Sequence, residues 1–241
     1  MNRIKLKLQA KEIIADGKPS PVVFSVLYVL VMVVIGLLSA KLVSIKIDQN
    51  TLLGFIGNSD IEGFYDFIVE QAPSPAAFFL DMLLGIMRVV IGAGFAIFAL
   101  NLVKGAEANL WNMLDGFGMF LRVVWLSILE YIFIVLWSML LIIPGFIAFY
   151  SYRQALFLLI EHPEMSAYEC IKESKRLMKG HKAELFSLDI SFIGWWLLSI
   201  LPIVGYLVSI WFAPFYKITM ALYYRQLIYT PRNNPTGNEF V

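Results

Sequence analysis

The chain has 241 residues, of which 59% are hydrophobic and 15% charged, with a mean hydropathy of +0.74 and a net charge of +1. Water-soluble domains carry about a quarter charged residues, so the composition excludes an ordinary soluble domain, and the near-neutral balance excludes nucleic acid as a main partner. A single cysteine, Cys170, excludes an intrachain disulfide and a cysteine cluster for metal.

The apolar residues fall in long runs, and a membrane span needs roughly 20 of them. The predicted fold class is therefore all-α: a polytopic membrane helix bundle of six transmembrane helices with cytoplasmic amphipathic surface helices. Residues 1–230 form one integral membrane domain in this reading. Residues 1–21 are an N-terminal amphipathic helix ended by Gly17 and Pro19. The first span runs about Val22 to Ala40; it is too long for the apolar region of a cleavable signal peptide, and none is expected. An extracellular loop, 41–77, follows. Within it Ile61, Phe64, Phe67 and Ile68 share helical spacing and predict an acidic surface helix.

The second span covers about Phe78 to Val103, and a helical segment is expected around Ala106 to Phe117. The third span, Leu121 to Ile143, turns at Pro144-Gly145 and returns as the fourth to Ile160. A cytoplasmic amphipathic helix lies in 163–182. Ser166 and Glu169 form a capping box, Tyr168, Ile171 and Met178 share an apolar stripe, and Gly180 stands at the C-cap. Lys172, Lys175, Arg176 and Lys179 lie mostly off that stripe and are candidates for binding anionic headgroups from the interface. The fifth span runs Leu185 to Leu201, turns at Pro202 to Gly205, and returns as the sixth to Tyr229. Residues 231–241 read as a flexible tail.

Lysine and arginine orient this bundle. They collect before span one, between spans two and three, between four and five, and in the tail. The long loop carries Asp48, Asp60, Glu62, Asp66 and Glu70 instead, with Lys41 and Lys46 only near its start. Both termini are thereby expected in the cytoplasm. Each pair of spans follows a helical cytoplasmic segment, which suggests a unit used three times; Tyr-Arg-Gln also recurs at 152–154 and 224–226.

The segment IIPGFIAFYSYRQALFLLIEHPEMSAYECIKESKRLMKGHKAELFSLDISFIGWWLL resembles the bacterial membrane-protein family known as domain of unknown function 975. The likeness rests on the I-P-G turn, the His162-Pro163-Glu164 segment, the I-K-E-S-K-R-L-M-K-G helix and the F-I-G-W start of the next span. Cys170 stands where alanine is common, and Asp189-Ile190-Ser191 closely replaces the usual Leu-Ser pattern. The likeness extends over about Arg3 to Tyr229 and is most specific from Leu141 to Trp196. It implies a multi-pass bacterial plasma-membrane protein and brings no catalytic residues. A looser likeness joins the chain to the membrane domain that accompanies some glycerophosphodiester phosphodiesterases, whose soluble catalytic barrel is absent.

Charges inside spans are costly and mark sites or pairs. Glu130 lies fourteen residues before Pro144, Asp189 thirteen before Pro202, and Lys217 twelve after Gly205. At roughly 1.5 Å per residue these share a depth. Glu130, Asp189 and Lys217, with Arg88 or Arg153, are therefore expected to form an intramembrane charge cluster. That cluster is either a proton, ion or headgroup site or a set of interhelical pairs; a paired Lys217 would destabilise the protein on removal. In span two, Asp81, Gly85, Arg88, Gly92, Ala96 and Ala99 share one face, read as close helix packing or as a polar pathway. Trp111 and Trp125 suit the interface, and Trp195-Trp196 suit packing.

His162 and His181 lack further ligands, so no metal is expected, and neither a cofactor nor catalytic residues are indicated. The leading functional reading is a non-enzymatic membrane protein that organises membrane lipids or a partner complex. A small transporter or channel using the buried charges is the alternative, and an intramembrane lipid enzyme ranks last. Expected partners are membrane lipids, through anionic headgroups at the cytoplasmic face, and a membrane protein or a second copy of the chain.

Overall fold

The computed structural model describes residues 3–43, 54, 61–70, 72–201 and 204–229. The tail 231–241, much of the loop after Val43 and the Pro202 turn lie outside them. All regular structure among the described residues is helical: α1 Arg3–Asp16, α2 Pro21–Leu42, α3 Ile61–Glu70, α4 Pro75–Lys104, α5 Asn112–Gly118, α6 Phe120–Leu140, α7 Ile142–Tyr152, α8 Ala155–Glu161, α9 Ala167–Leu177, α10 Lys182–Ile190, α11 Ile193–Ser199 and α12 Val204–Ile228. Four helical stretches are long and apolar enough to cross a membrane: α2, α4, α6, and α7 with α8. The regions of the fifth and sixth predicted spans differ from that pattern. The fifth is interrupted at Ser191-Phe192 into α10 and α11, each too short alone, and the sixth, α12, has Lys217 and several tyrosines along its 25 residues.

The chain divides into two compact units, residues 1–30 with 89–241, and residues 31–88. In the smaller unit, Ser39 donates a hydrogen bond to Asp81, and the Arg88 guanidinium donates to the Ile35 carbonyl at 3.4 Å. The expected acidic helix is present there as α3, and none of its residues is buried. In the larger unit, Phe24 stacks on Phe98 with ring centres 3.9 Å apart and tilts against Phe95, joining the start of α2 to the end of α4. The core gathers Leu100, Leu126, Leu159, Met178, Leu185, Phe192, Tyr223 and Tyr224.

The small-residue face of span two behaves differently from its expectation. A methyl on Gly85 or Gly92 would meet nothing within 4 Å, whereas one on Gly94 would come 2.8 Å from the Asn112 carbonyl oxygen. Gly94 and Gly116 are where α4 and α5 approach closely, while Ala96 and Ala99 are buried on α4.

The Pro144-Gly145 reversal also shifts. The chain turns at Leu141, which is extended (φ −163°, ψ 147°), and Pro144 and Gly145 lie in the first turn of α7. Proline is tolerated in a first helical turn because the amide it lacks would have no partner there. Gly145 instead lets α7 approach α6: an added Cβ would stand 2.8 Å from Ser138 Cα. The second hairpin repeats the device, with a Gly205 Cβ placed 3.0 Å from the Ser199 carbonyl carbon. Ser138 and Ser199 each return their hydroxyl to the carbonyl four residues earlier.

Helix α9 has the expected capping box, with the Ser166 amide 2.8 Å from the Glu169 carboxylate, and this bond holds that carboxyl below its usual range. Gly180, past its end, has φ 88°, the left-handed conformation that only glycine adopts freely. Its apolar face is not laid on an interface. Cys170, Ile171, Ser174 and Leu177 are buried, and the helix packs on α6, α7 and α8. Tyr168 of the predicted stripe is exposed, with its ring edge toward Phe133 at 6.4 Å.

Two outcomes follow from this packing. Gly145→Ala should destabilise the detergent-solubilised protein by about 1–3 kcal/mol, with partial recovery in the Ser138→Gly background. A melting temperature equal to wild type would disprove the close approach. Cys170 is fully buried, and burial pushes its thiol up to about 11, so at neutral pH it stays protonated and inert. A maleimide should leave it unmodified in membranes even after permeabilisation and label it in denaturant, as read by intact mass.

Candidate functional site

Two helix interruptions and one internal proline sit close to charge in the larger unit. Helix α7 gives way to α8 at Arg153-Gln154, α10 to α11 at Ser191-Phe192, and α12 contains Pro214. Each exposes backbone groups that a continuous helix would satisfy. At the first break, the Gln154 amide donates to Ser174 Oγ at 3.1 Å, and Ser174 donates onward to the Ser151 carbonyl at 2.8 Å. Ser174, buried in α9, thus fills both roles. At the second break, Lys7 of α1 donates to the Ser191 carbonyl at 2.8 Å and lies 3.9 Å over the Phe192 ring. A cation there matches the negative end of α10. One turn earlier, Arg3 donates to Ser187 Oγ at 2.6 Å. The N-terminal helix is therefore docked by its basic residues and by buried Leu6 and Ala10.

Asp189 ends α10 beside the second break. Tyr216 donates to its Oδ1 at 2.9 Å and Tyr150 to its Oδ2 at 3.1 Å. Arg153 lies 3.9 Å from Oδ2 and donates to the Tyr216 hydroxyl, with its guanidinium 4.9 Å over the Phe149 ring. Both tyrosines are buried, so the carboxylate is enclosed by donors.

Next to this network is a cavity of about 250 Å³ between α4, α6, α7, α8 and α12. Glu130, Arg153, Tyr152, Tyr216 and Lys217 supply its polar wall; Ala96, Ile134, Phe149, Leu156, Phe157 and Met220 supply its apolar wall. The structure thus brings Glu130, Arg153 and Lys217 to one space, and Asp189 joins through Arg153 and Tyr216. Arg88 lies in the smaller unit, on the Ile35 carbonyl. Among the described residues, neither Lys217 nor Glu130 makes an ion pair. Within the cluster, Arg153 and Asp189 form an ion pair at 3.9 Å.

Sequence reading missed the two tyrosines. The signal was available: Phe-Tyr recurs at 149–150 and 215–216, and the second member of each pair donates to one oxygen of Asp189. The Tyr-Arg-Gln echo is used unequally. Arg153 serves Asp189, while Arg225 donates to the Val103 carbonyl at 3.1 Å, and Tyr224 donates to Glu161 at 2.7 Å, which also pairs with Lys104.

The candidate headgroup residues stand apart. Lys172, Lys175 and Arg176 are exposed on α9, and Lys179 is exposed in the turn just past its end. Arg176 is engaged with Glu173, Nε to Oε2 at 2.8 Å. Trp195 and Trp196 pack on Phe212, at 6.0 Å stacked and 5.3 Å edge-on; Trp111 and Trp125 are exposed. No group of three or more His, Cys, Asp or Glu residues fit to hold a metal occurs among the described residues.

The chain matches no curated protein and no solved structure. Residues 139–230 match the family described as Protein of unknown function (DUF975). That segment holds Arg153, Asp189, Tyr216 and Lys217 but not Glu130, and it is shorter than the resemblance read from the sequence. The chain is thus similar to this family of unknown function over the segment that builds most of the site.

Proposed function

We propose that this is a multi-pass plasma-membrane protein, non-enzymatic, which holds a lipid headgroup in its intramembrane cavity and so organises lipid at the cytoplasmic side. The observation that carries the reading is the cavity itself, which Glu130 and Lys217 both line without an ion pair among the described residues. Unpaired charges in a low-dielectric setting cost stability, and their retention is accounted for by an external partner. The interrupted helices support it as well. Non-helical backbone at membrane depth is tolerated only where it lines a cavity or is buried in protein, and here every break is next to a cavity or network residue.

In this reading α10 with α11 forms the fifth span, interrupted between them, and α12, with Pro214 inside it, forms the sixth. Both termini are cytoplasmic, α1 and α9 form a basic collar fixed to the bundle, and α3 lies outside. The exposed lysines of α9 meet anionic headgroups, each worth about 1 kcal/mol near the surface. Bilayer contact is supported by α6, whose most apolar window is 11% buried within the chain, leaving most of it to face an apolar solvent. Transport is the second reading, favoured by charges set at helix interruptions, a feature of many transporters.

In a Cys170→Ser background, Lys179→Cys should react with an impermeant maleimide only after permeabilisation, and Tyr65→Cys should react in intact cells. The reverse pattern would invert the topology. Lys217→Met should leave the melting temperature unchanged or raise it while lowering the phospholipid that copurifies, quantified by mass spectrometry; a strongly destabilised variant would mean that Lys217 is a structural partner. A substrate flux in proteoliposomes that disappears in Glu130→Gln would replace the lipid-holding reading with transport.

A further inference from the structure

Cavity charge decides which ligand class fits. Asp189 is matched by Arg153 and two tyrosine hydroxyls, which leaves Glu130 and Lys217 as the charges with no ion-pair partner among the described residues. One is negative, the other positive, and both line the same cavity. A simple anion would meet Glu130 as a repulsive wall, and a simple cation would meet Lys217 and Arg153. A ligand with both signs satisfies all three.

We propose that the cavity takes a phosphoethanolamine group, its phosphate on Lys217 and Arg153 and its primary ammonium on Glu130. This rests on the lipid-holding reading above and names the headgroup. Guanidinium and ammonium together suit a phosphate's several acceptors. A carboxylate discriminates a primary ammonium, which donates hydrogen bonds, from a quaternary one, which cannot. The apolar wall of Ile134, Leu156 and Met220 accommodates the glycerol and first acyl carbons, so the lipid rather than the free headgroup is the source. A volume of about 250 Å³ is below that of sites for drug-sized ligands, about 300–1,000 Å³, and suits a headgroup with the tails outside.

The test uses the full chain, delipidated in detergent. It is titrated with dihexanoyl phosphatidylethanolamine, dihexanoyl phosphatidylglycerol, dihexanoyl phosphatidylcholine, free phosphoethanolamine and serine, with binding read by native mass spectrometry and by the melting shift. The ethanolamine lipid should bind roughly tenfold more tightly than the glycerol or choline lipid, the scale of one charged hydrogen-bonded contact. Glu130→Gln should abolish that preference while phosphatidylglycerol binding persists, and Lys217→Met should weaken all three lipids. Equal affinity for the three headgroups in the wild type, or a preference unchanged in Glu130→Gln, overturns the headgroup assignment and leaves lipid binding standing. Absence of binding by every lipid overturns the lipid-holding reading as well. Free phosphoethanolamine or serine binding as tightly as the ethanolamine lipid overturns the lipid source. The wild-type comparison of ethanolamine with choline needs no variant, so a misfolded substitution does not leave the proposal untested.

Discussion

Everything in the larger unit depends on satisfying backbone groups that its helix interruptions expose. A buried, unpaired amide or carbonyl costs about 1–3 kcal/mol, and two breaks in neighbouring elements would together be a large share of a typical stability. The chain meets this with side chains from elsewhere in the sequence. Ser174, in α9, accepts from Gln154 and donates to Ser151. Lys7, near the N-terminus, reaches the Ser191 carbonyl. Both surface helices are thus parts of the bundle's hydrogen bonding. This explains why α9 buries Cys170, Ile171 and Ser174 on its neighbours instead of offering them to the interface.

The interruptions also place the charges. Arg153 sits at one break, Asp189 two residues before Ser191 at another, and Tyr216 with Lys217 just after Pro214. A regular helix would hold these side chains in fixed register along one stripe; two breaks and the proline inside α12 are where three helices bring theirs toward a common point. Three groups, Tyr150, Arg153 and Tyr216, then assemble around one carboxylate, with Phe149 under the guanidinium. Such a network rigidifies its helices when every member is satisfied. Asp189 therefore anchors the network, and Arg153, Glu130 and Lys217 are the charges that line the cavity.

Much of this was legible in the sequence, for identifiable reasons. Apolar runs marked α2, α4, α6 and the α7–α8 pair because length and hydropathy are direct physical requirements of a span. The cap at Ser166 and the glycine at 180 were readable because each is a local rule involving a few adjacent residues. Depth counting, which needs only the helical rise, put Glu130 and Lys217 at one level. Contacts between distant segments were not legible. Gly94 rather than Gly92 meets α5 because of the rotation of one helix against another, and nothing in the local pattern distinguishes two glycines two residues apart. The turn at Leu141 was misplaced for a related reason: Pro-Gly was read as a reversal, whereas the pair is the tight first turn of the returning helix.

The contrast between the two kinds of charge in the cavity region is the strongest indication of a site. If stability alone had shaped it, Glu130 and Lys217 would be paired like Arg153 and Asp189, or replaced by the Ile, Leu and Met that already form the rest of the wall. Neither has occurred. The tyrosines could also have quenched Lys217, yet Tyr216 is committed to Asp189 and Tyr224 to Glu161. The polar groups nearby are spent on positioning, and two opposite charges are left facing a space. Opposite charges that line one space without ion-pair partners among the described residues are the expected form of a site whose missing partner arrives from outside.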